Sequence, residues 1–325
     1  MAPLDLGIAV GGSDEPAGFA RRCRVVDHAE ALGLHSVWLP EGHFTRGASA
    51  SPLLTLAAFA ARTKRIRLGT TSLLISIHHP LRIAEEVSAL EALSDGRVWL
   101  GLGRGFRAPL FQGFGVEPGA KRDRFDLAVD AILLAWSGDP VRLDGEHFAT
   151  PDGAVRAALR PVQRPHPPLL VAAFGRKGLG QAARRGLPYL ASPLEPFDVL
   201  AENLAFHRER LTQPLAANVA HAPIMRTVHV ARDDLAAARV VAGLEAEASR
   251  LPAGRLPKAL ARAAEGEVGD RAIVGTRSAV ADRIAVYRER LGMDLLIARS
   301  EVPGADGPQQ QESLEALAGI CREAA

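Results

Sequence analysis

Residues 78–106 read HHPLRIAEEVSALEALSDGRVWLGLGRGF and contain one helix-like run followed by one strand-like run. Pro80 stands where first-turn prolines begin helices, and Gly96 follows the end of the same run. The apolar run Val98–Gly103 then predicts a strand, which ends in a glycine-rich turn that carries Arg104. This stretch therefore predicts a helix that leads through a short turn into a strand.

The same alternation of strand-like and helix-like runs extends from one end of the chain to the other. Short links between such runs imply parallel strands with right-handed crossovers. Eight such units in 325 residues favour a closed (β/α)8 TIM barrel over an open doubly wound α/β sheet. The predicted strands are Leu4–Val10, Ser36–Pro40, Ile66–Ser72, Val98–Gly103, Leu169–Ala173, Tyr189–Ser192, Ile224–Ala231 and Asp294–Arg299.

Three segments fall outside this repeat. Residues 104–118 predict a long loop rich in Gly and Phe after strand four, and residues 138–167 predict a small hairpin insertion. Residues 245–276 predict a helical excursion before the last unit. Long loops in a compact barrel are usually functional or cover a site. Since no linker is visible, we expect one domain over residues 1–325, with insertions after strands 4 and 7.

The composition is that of an ordinary soluble globular protein. The 39 Lys+Arg and 37 Asp+Glu residues leave a net charge of +2, which favours neither nucleic acid nor a membrane surface as a partner. The start of the chain, MAPLDLGIAV, lacks the basic residues of a signal peptide, and no apolar run reaches the length of a membrane span. Cys23 and Cys321 form no disulfide framework. We therefore expect a cytoplasmic protein.

The stretch VWLPEGHF, residues 37–44, places polar groups directly after a predicted strand. In a barrel, reactive groups belong at the carboxyl ends of the strands. Glu41 and His43 are two residues apart, so in an extended chain their side chains point to the same side. A His beside a carboxylate serves as acid, base or oriented donor near neutral pH. We favour this interpretation over the alternative, in which the pair only caps the next loop.

Two glycine-rich turns are candidate phosphate sites. The turn after strand four carries Arg104, whose fork of donors suits phosphate. The turn FGRKG at residues 174–178 opens an amphipathic helix, with Arg176 and Lys177 beside its N-terminal amides. An exposed basic first turn is an equally good interpretation of this second turn, although cations there oppose the helix dipole.

The other candidate site residues are histidines and phenylalanines on or beside the predicted loops. His78 and His79 lack the HxH spacing of barrel metallohydrolases, so we expect no metal site, and His147 is simplest as a structural or solvated residue. Several phenylalanines fall on the predicted loops at one rim, where they would form an apolar pocket for a substrate. They are Phe44, Phe106, Phe111, Phe114 and Phe174, of which the first three are the candidate pocket residues.

Taken together, EGHF at residue 41, SPLLTLAAFAARTKRIRLGT at residue 51, the block 78–106 and FGVEP at residue 114 resemble the bacterial luciferase-like flavin monooxygenases. The resemblance covers nearly the whole chain. It implies a barrel that binds reduced FMN, or in another branch a deazaflavin. It also implies use of O₂ on an organic substrate, a separate flavin reductase as partner, and a homodimer.

The resemblance also assigns site residues. Thr71-Ser72 matches the point where the family often has a non-proline cis peptide behind the flavin ring, and Gly103 matches a cysteine near the flavin of the luciferase catalytic subunit. Arg104 and Arg122 match phosphate-binding arginines. The cofactor turn comprises Ala173, Phe174, Gly175, Arg176, Lys177 and Gly178.

Two departures from the family pattern stand out. Gly42 occupies the position of the first histidine of a pair, the one linked to catalysis in luciferases, which puts aldehyde-dependent light emission in doubt. The turn 174–178 lacks the Ser/Thr residues usual in the family, so the phosphate ligands there are less closely defined.

The leading hypothesis from the sequence is an FMN-dependent monooxygenase that oxygenates an apolar small molecule in secondary metabolism, with His43 and Glu41 in catalysis. A deazaflavin-dependent oxidoreductase, a barrel metallohydrolase using Glu41, His43, His78 or His79, and a non-catalytic flavin-binding relative stay open. No feature of the sequence distinguishes hydroxylation from Baeyer–Villiger insertion.

Overall fold

The computed structural model describes residues 4–11, 15–45, 48–249 and 266–324. The named strands are β1 (Asp5–Ala9), β2 (Ser36–Leu39), β3 (Arg67–Leu74), β4 (Val98–Gly103), β5 (Leu169–Ala172), β6 (Tyr189–Leu190), β7 (Pro223–Val230), β8 (Ala272–Gly275) and β9 (Leu295–Arg299). The named helices are α1 (Pro16–Ala31), α2 (Pro52–Arg62), α3 (Pro80–Ser94), α4 (Ala108–Gly113), α5 (Lys121–Ser137), α6 (Gly175–Arg184), α7 (Phe197–Glu209), α8 (Asp234–Ser249), α9 (Val268–Arg271), α10 (Arg277–Leu291) and α11 (Gly307–Glu323).

The chain forms two compact units. Unit 1 comprises Met1–Val10, Ala31–Trp38 and Leu170–Ala325, and unit 2 comprises Gly11–Glu30 and Leu39–Leu169. The sequence-based expectation of one domain over 1–325 stays a prediction.

Unit 1 is built around parallel strand pairs. Strand β1 pairs with β2 on one side and with β9 on the other, and β9 pairs in turn with the first half of β7. Strand β8 pairs with the second half of β7. Strand β5 pairs with β6, and a parallel bridge joins Ala191, just past β6, to Ile224 of β7. These pairings give unit 1 the strand-helix alternation of an α/β fold.

Unit 2 contains helix α3 and strand β4, which residues 78–106 form together with the turns beside them. Strands β3 and β4 are parallel, with a register irregularity between Thr71 and Leu73. Glu91 of α3 is fully buried. Its carboxylate accepts hydrogen bonds from the backbone N–H of Val98 at 2.9 Å and from the backbone N–H of Gln163 at 3.0 Å. One buried acid therefore fixes the end of α3 to the start of β4 and to the chain that leads toward β5.

The start signals read from the sequence are confirmed. Helix α2 begins at Pro52 after Ser51, and α3 begins at Pro80 after His79, so each proline takes a first-turn position where no intrahelical N–H bond is lost. Gly33 and Gly96 follow α1 and α3 with φ of 73° in both cases, a conformation that costs glycine little.

The structure corrects the sequence prediction in two places. Strand β8 lies inside the segment 245–276 that was predicted as helical, because its four residues stand between α9 and α10 and are too short to show a strand period. Residues 250–265 of that segment lie outside the described residues. The predicted loop 104–118 contains helix α4, followed by a 3-10 turn at Pro118–Ala120.

Residues 138–167 make two isolated antiparallel bridges, Val141 to Val155 and Asp144 to Ala149. Closure of a (β/α)8 barrel and the placement of insertions after strands 4 and 7 stay predictions. Within the described part of the chain, no helix combines the length and the apolar character that crossing a membrane requires.

Candidate active site

A buried carboxylate with two imidazoles lies in unit 2, past the end of β2. Glu41 is 8% exposed, and its Oε1 atom lies 2.7 Å from Nε2 of His43 and 2.6 Å from Nε2 of His78. Its Oε2 atom accepts the Leu74 amide at 2.6 Å. The hydrogen bond between His43 and Glu41 joins the two residues whose spacing predicted that they share one side, and the turn after β3 brings in His78.

The electrostatics of this cluster favour an ionised Glu41. Burial is the largest influence and would raise the pKa of Glu41, but hydrogen bonds from His43 and His78, the charge of His78 and the Leu74 amide outweigh it. The net result is a pKa below the ordinary value of 4.5. Near neutral pH the group is therefore a carboxylate that can only accept hydrogen bonds.

The ionised carboxylate also defines the protons on the two rings. Since Glu41 can only accept, Nε2 of His43 and Nε2 of His78 must both donate. In the neutral form of each ring, the Nδ1 atom then carries the lone pair. The cluster thus orients two imidazoles whose remaining nitrogens can accept or release a proton.

Aromatic rings surround the two imidazoles. The Phe114 ring meets His43 edge-on with centroids 4.8 Å apart, and it lies 6.4 Å from His78 and 5.5 Å from Phe44. Phe44 is 63% exposed and has a left-handed backbone, with φ of 55°. Its ring occupies the space in which a side chain at Gly113 would stand, so a larger residue at the end of α4 would require the Phe44 ring to move. The histidines therefore open onto an apolar, partly exposed surface.

The predicted aromatic rim is reproduced only in part. Phe106 is exposed like Phe44 and Phe114, but Phe111 is 2% exposed and packs with Ile77, Leu110 and Val116. The sequence analysis predicted a loop at this point, whereas residues 108–113 form helix α4, in which the Phe111 side chain is buried. Phe174, the fifth, belongs to unit 1.

A non-proline cis peptide joins Thr71 to Ser72 in β3, at the position that the resemblance indicated. The Ser72 carbonyl accepts the Glu41 amide at 3.3 Å. A Cβ atom at Gly103 would lie 2.0 Å from Oγ of Ser72, so Gly103 leaves room for the Ser72 side chain. The luciferase cysteine could not occupy position 103 without a shift of Ser72.

Three cationic side chains lie near one another in unit 2. Burial, followed by the charge of Arg122, lowers the pKa of Arg104 to about 10, while Asp126 acts in the opposite direction. Burial, followed by the charges of Arg122 and Arg104, lowers the pKa of Lys121. Arg104 and Arg122 were predicted from the sequence, whereas Lys121 was not. Clustered cations of this kind form a suitable site for an anion.

The predicted phosphate turn lies in unit 1. Phe174 precedes α6, and Gly175, the first residue of that helix, has φ of 69°. Arg176 and Lys177 are exposed, and the Arg176 guanidinium stacks over the Phe206 ring at 4.3 Å. Ala173 and Gly178 are buried. The role of this turn in holding a phosphate stays a prediction.

Gly42, the departure noted in the sequence, has a structural cause. Its amide donates to the Ser49 carbonyl at 2.8 Å, and a Cβ atom at position 42 would lie 2.9 Å from Cβ of Ala48. A histidine does not fit here while residues 48 and 49 pack against the main chain.

His79 has a different environment from His78. The His79 ring packs edge-on against the Phe148 ring. The Arg124 guanidinium stacks over the Phe148 ring at 4.4 Å and donates to the Ser76 and His147 carbonyls. Burial first, and then the charge of Arg124, lowers the pKa of His79. These contacts attach the segment 138–167 to α3 and α5.

Glu41, His43 and His78 also form a set of possible metal ligands. Their ligand atoms lie within 4.8 Å of one another, and His79 is not part of this set. The sequence spacing disfavoured a metal at His78, and the absence of a metal stays a prediction. His78 is the site residue that the sequence analysis did not place beside Glu41.

Comparisons with known proteins show what this chain is similar to. A profile described as luciferase-like monooxygenase matches residues 6–294. The oxygenase component of the flavin-dependent trigonelline monooxygenase of Acinetobacter baylyi is 29% identical over 188 residues, which are 57% of this chain and 51% of that protein. The chain spans about half the length of the curated relatives that it matches first.

Two solved structures share the fold. Monooxygenase RslO1 from Streptomyces bottropensis is 27% identical, with a TM-score of 0.81 and 98% of each chain covered. The oxygenating constituent of 3,6-diketocamphane monooxygenase from Pseudomonas putida, a type II Baeyer–Villiger enzyme in complex with FMN, is 18% identical, with a TM-score of 0.83 and 99% of each chain covered.

Proposed function

The chain belongs to the luciferase-like monooxygenase family, and on that premise we propose that it is a monooxygenase that uses reduced FMN and O₂ to oxygenate a small, largely apolar molecule. A separate flavin reductase would supply the reduced FMN. We place the protein in the cytoplasm as a homodimer.

The observation that carries this proposal is the group of cations formed by Arg104, Lys121 and Arg122. FMN ends in a phosphate, and a dianion would offset both the burial and the mutual repulsion that lower the pKa of Arg104 and of Lys121. The residues present therefore fit the charged end of the cofactor. When bound, reduced FMN supplies the two electrons that split O₂ between the substrate and water.

In this proposal the chain itself supplies orientation and proton transfer. Glu41 stays ionised and holds His43 and His78 with their Nε2 protons directed at its carboxylate. The Nδ1 atom of His43 then holds or releases the proton that oxygenation requires. Phe44 and Phe114, whose ring centroids lie 5.5 Å apart, would line an apolar approach together with Phe106, while Phe111 packs with Leu110 in the core.

The cofactor is tested by titrating the purified protein, without oxygen, with reduced FMN and with a reduced deazaflavin. We expect FMN to bind tightly. Tight binding of the deazaflavin alone would instead indicate an oxidoreductase that transfers hydride without O₂. Stoichiometric zinc together with no flavin affinity would favour a metallohydrolase at Glu41, His43 and His78.

The reaction is tested by adding a flavin reductase and measuring O₂ uptake in the presence of candidate substrates. Substrate-dependent uptake supports a monooxygenase, whereas FMN binding without it indicates a non-catalytic relative. His43→Ala should leave FMN affinity nearly unchanged and slow oxygenation. His166→Ala is the matched control, because His166 stacks on Trp136 away from Glu41 and should change neither quantity.

A further inference from the structure

A second polar group lies in unit 1, at the carboxyl ends of β7 and β9. The side chains of β7 alternate between two faces: Arg226 donates to the Tyr287 hydroxyl of α10 at 2.9 Å, so the even-numbered positions face the helix. Thr227 and His229 therefore share the opposite face. Arg299 of β9 is the register partner of Thr227 and donates to its hydroxyl at 3.3 Å. Thr227, His229 and Arg299 thus converge on one face.

His229 is buried in strand β7. The residue is 3% exposed, and its Nδ1 atom has no partner among the described residues. An unsatisfied buried polar atom is costly, and its presence in a native fold calls for a ligand or another specific explanation. Burial lowers the pKa of His229, so the ring is neutral near pH 7 and keeps one N–H to donate.

Arg299 brings a permanent positive charge to the same face. Its only hydrogen bond in the described part of the chain is the long one to Thr227, and the ion pairs of that part do not include Arg299. Two residues along a strand span about 7 Å, so a single small ligand can contact both Arg299 and His229. A planar carboxylate matches this set, since it takes two parallel bonds from a guanidinium and a third from an imidazole N–H.

We infer that Arg299, Thr227 and His229 form a subsite that binds the carboxylate of a small organic acid. This binding is independent of the proposed function.

The test compares two probes of similar shape by isothermal titration calorimetry: octanoate, which is anionic and only accepts hydrogen bonds, and octanamide, which is neutral and carries an NH₂ donor. We expect the wild-type protein to bind octanoate more tightly. Arg299→Met should weaken octanoate binding about 10- to 100-fold, as expected for the loss of charge-assisted hydrogen bonds. It should leave the affinity for octanamide unchanged. Arg232→Met removes an exposed guanidinium paired with Asp233 and should change neither affinity.

His229→Leu separates a ligand role from a structural one. Because the ring makes no hydrogen bond to any described residue, an apolar side chain of similar size should leave the thermal midpoint equal or higher while weakening octanoate binding several-fold. A lowered midpoint with unchanged octanoate affinity would assign His229 to the fold and overturn its part in the subsite.

Three other results would overturn the inference. They are equal binding of octanoate and octanamide by the wild type, no octanoate binding up to its solubility limit, and displacement of octanoate by equimolar inorganic phosphate. FMN affinity is measured on the same variants. A loss of FMN affinity in Arg299→Met with octanoate unaffected places Arg299 at the cofactor and ends the inference, whereas octanoate binding in a protein without FMN affinity ends only the proposed function.

Discussion

Replacing Glu41 with Gln keeps its shape and removes its charge, and the structure indicates what must fail. The carboxylate accepts three hydrogen bonds, from His43, His78 and the Leu74 amide. Gln has one oxygen and one NH₂ group. If the oxygen stays with the imidazoles, the NH₂ group meets the Leu74 N–H. If the amide rotates, the NH₂ group meets both imidazoles and forces their protons onto Nδ1.

Either arrangement removes at least one charge-assisted hydrogen bond at a buried position. The expected loss of stability is about 1.5–3 kcal/mol. Because the pKa of Glu41 is lowered in the folded protein, the stability that the ionised group contributes is fully present above its ordinary value of 4.5. It is lost as the pH falls through the lower folded-state value. The difference between wild type and Glu41→Gln should therefore be constant near neutral pH and shrink below pH 4.5.

The assays are denaturant unfolding across this pH range and nitrogen NMR of the imidazoles. Wild-type His43 and His78 should show protonated Nε2, and Glu41→Gln should slow oxygenation while FMN still binds. Glu86→Gln, an exposed acid paired with Arg82, is the control and should cost under about 1 kcal/mol. Protonated Nδ1 with bare Nε2 in the wild type, or equal stability of the two Glu variants, would contradict the role assigned to the Glu41 carboxylate.

Three further predictions concern the cofactor residues and a cysteine. Arg104→Ala should weaken FMN binding by about 1.5–3 kcal/mol in a fluorescence titration. Arg107→Ala is the control, because the Arg107 guanidinium donates to Thr45 and its loss should not change FMN affinity. Equal losses of affinity in the two variants would contradict the role of Arg104 in binding the phosphate. Gly103→Ala should lower stability by about 1–3 kcal/mol, and adding Ser72→Gly should restore it; a stable single variant would disprove the clash. Burial raises the pKa of the Cys321 thiol to about 12, so a thiol reagent at pH 8 should modify it only after unfolding.

Local signals in the sequence were sufficient for most of the fold. First-turn prolines and helix-ending glycines act within a few residues, so the starts of α2 and α3 could be predicted at Pro52 and Pro80. Strand β8 could not be predicted in this way. Its four residues lie between two helices and are too few to show the alternating pattern of a strand, and they pair with a strand that begins about fifty residues earlier.

The site divides in the same way. Glu41 and His43 are two residues apart, so strand geometry alone joins them. His78 lies 37 residues from Glu41 and reaches it only through the turn after β3, which spacing within the sequence does not encode. Lys121 is similar, since its proximity to Arg104 depends on where α5 begins.

The contact between Gly42 and Ala48 constrains the order in which this site could have evolved. Even one methyl group at position 42 would stand 2.9 Å from the Ala48 side chain. A histidine can be introduced there only after position 48 has become glycine or its segment has moved, and the reverse path requires the histidine to be lost first. The two positions therefore change as a coupled pair, and exchanging Gly42 alone with a relative would measure the clash rather than the catalytic value of the histidine.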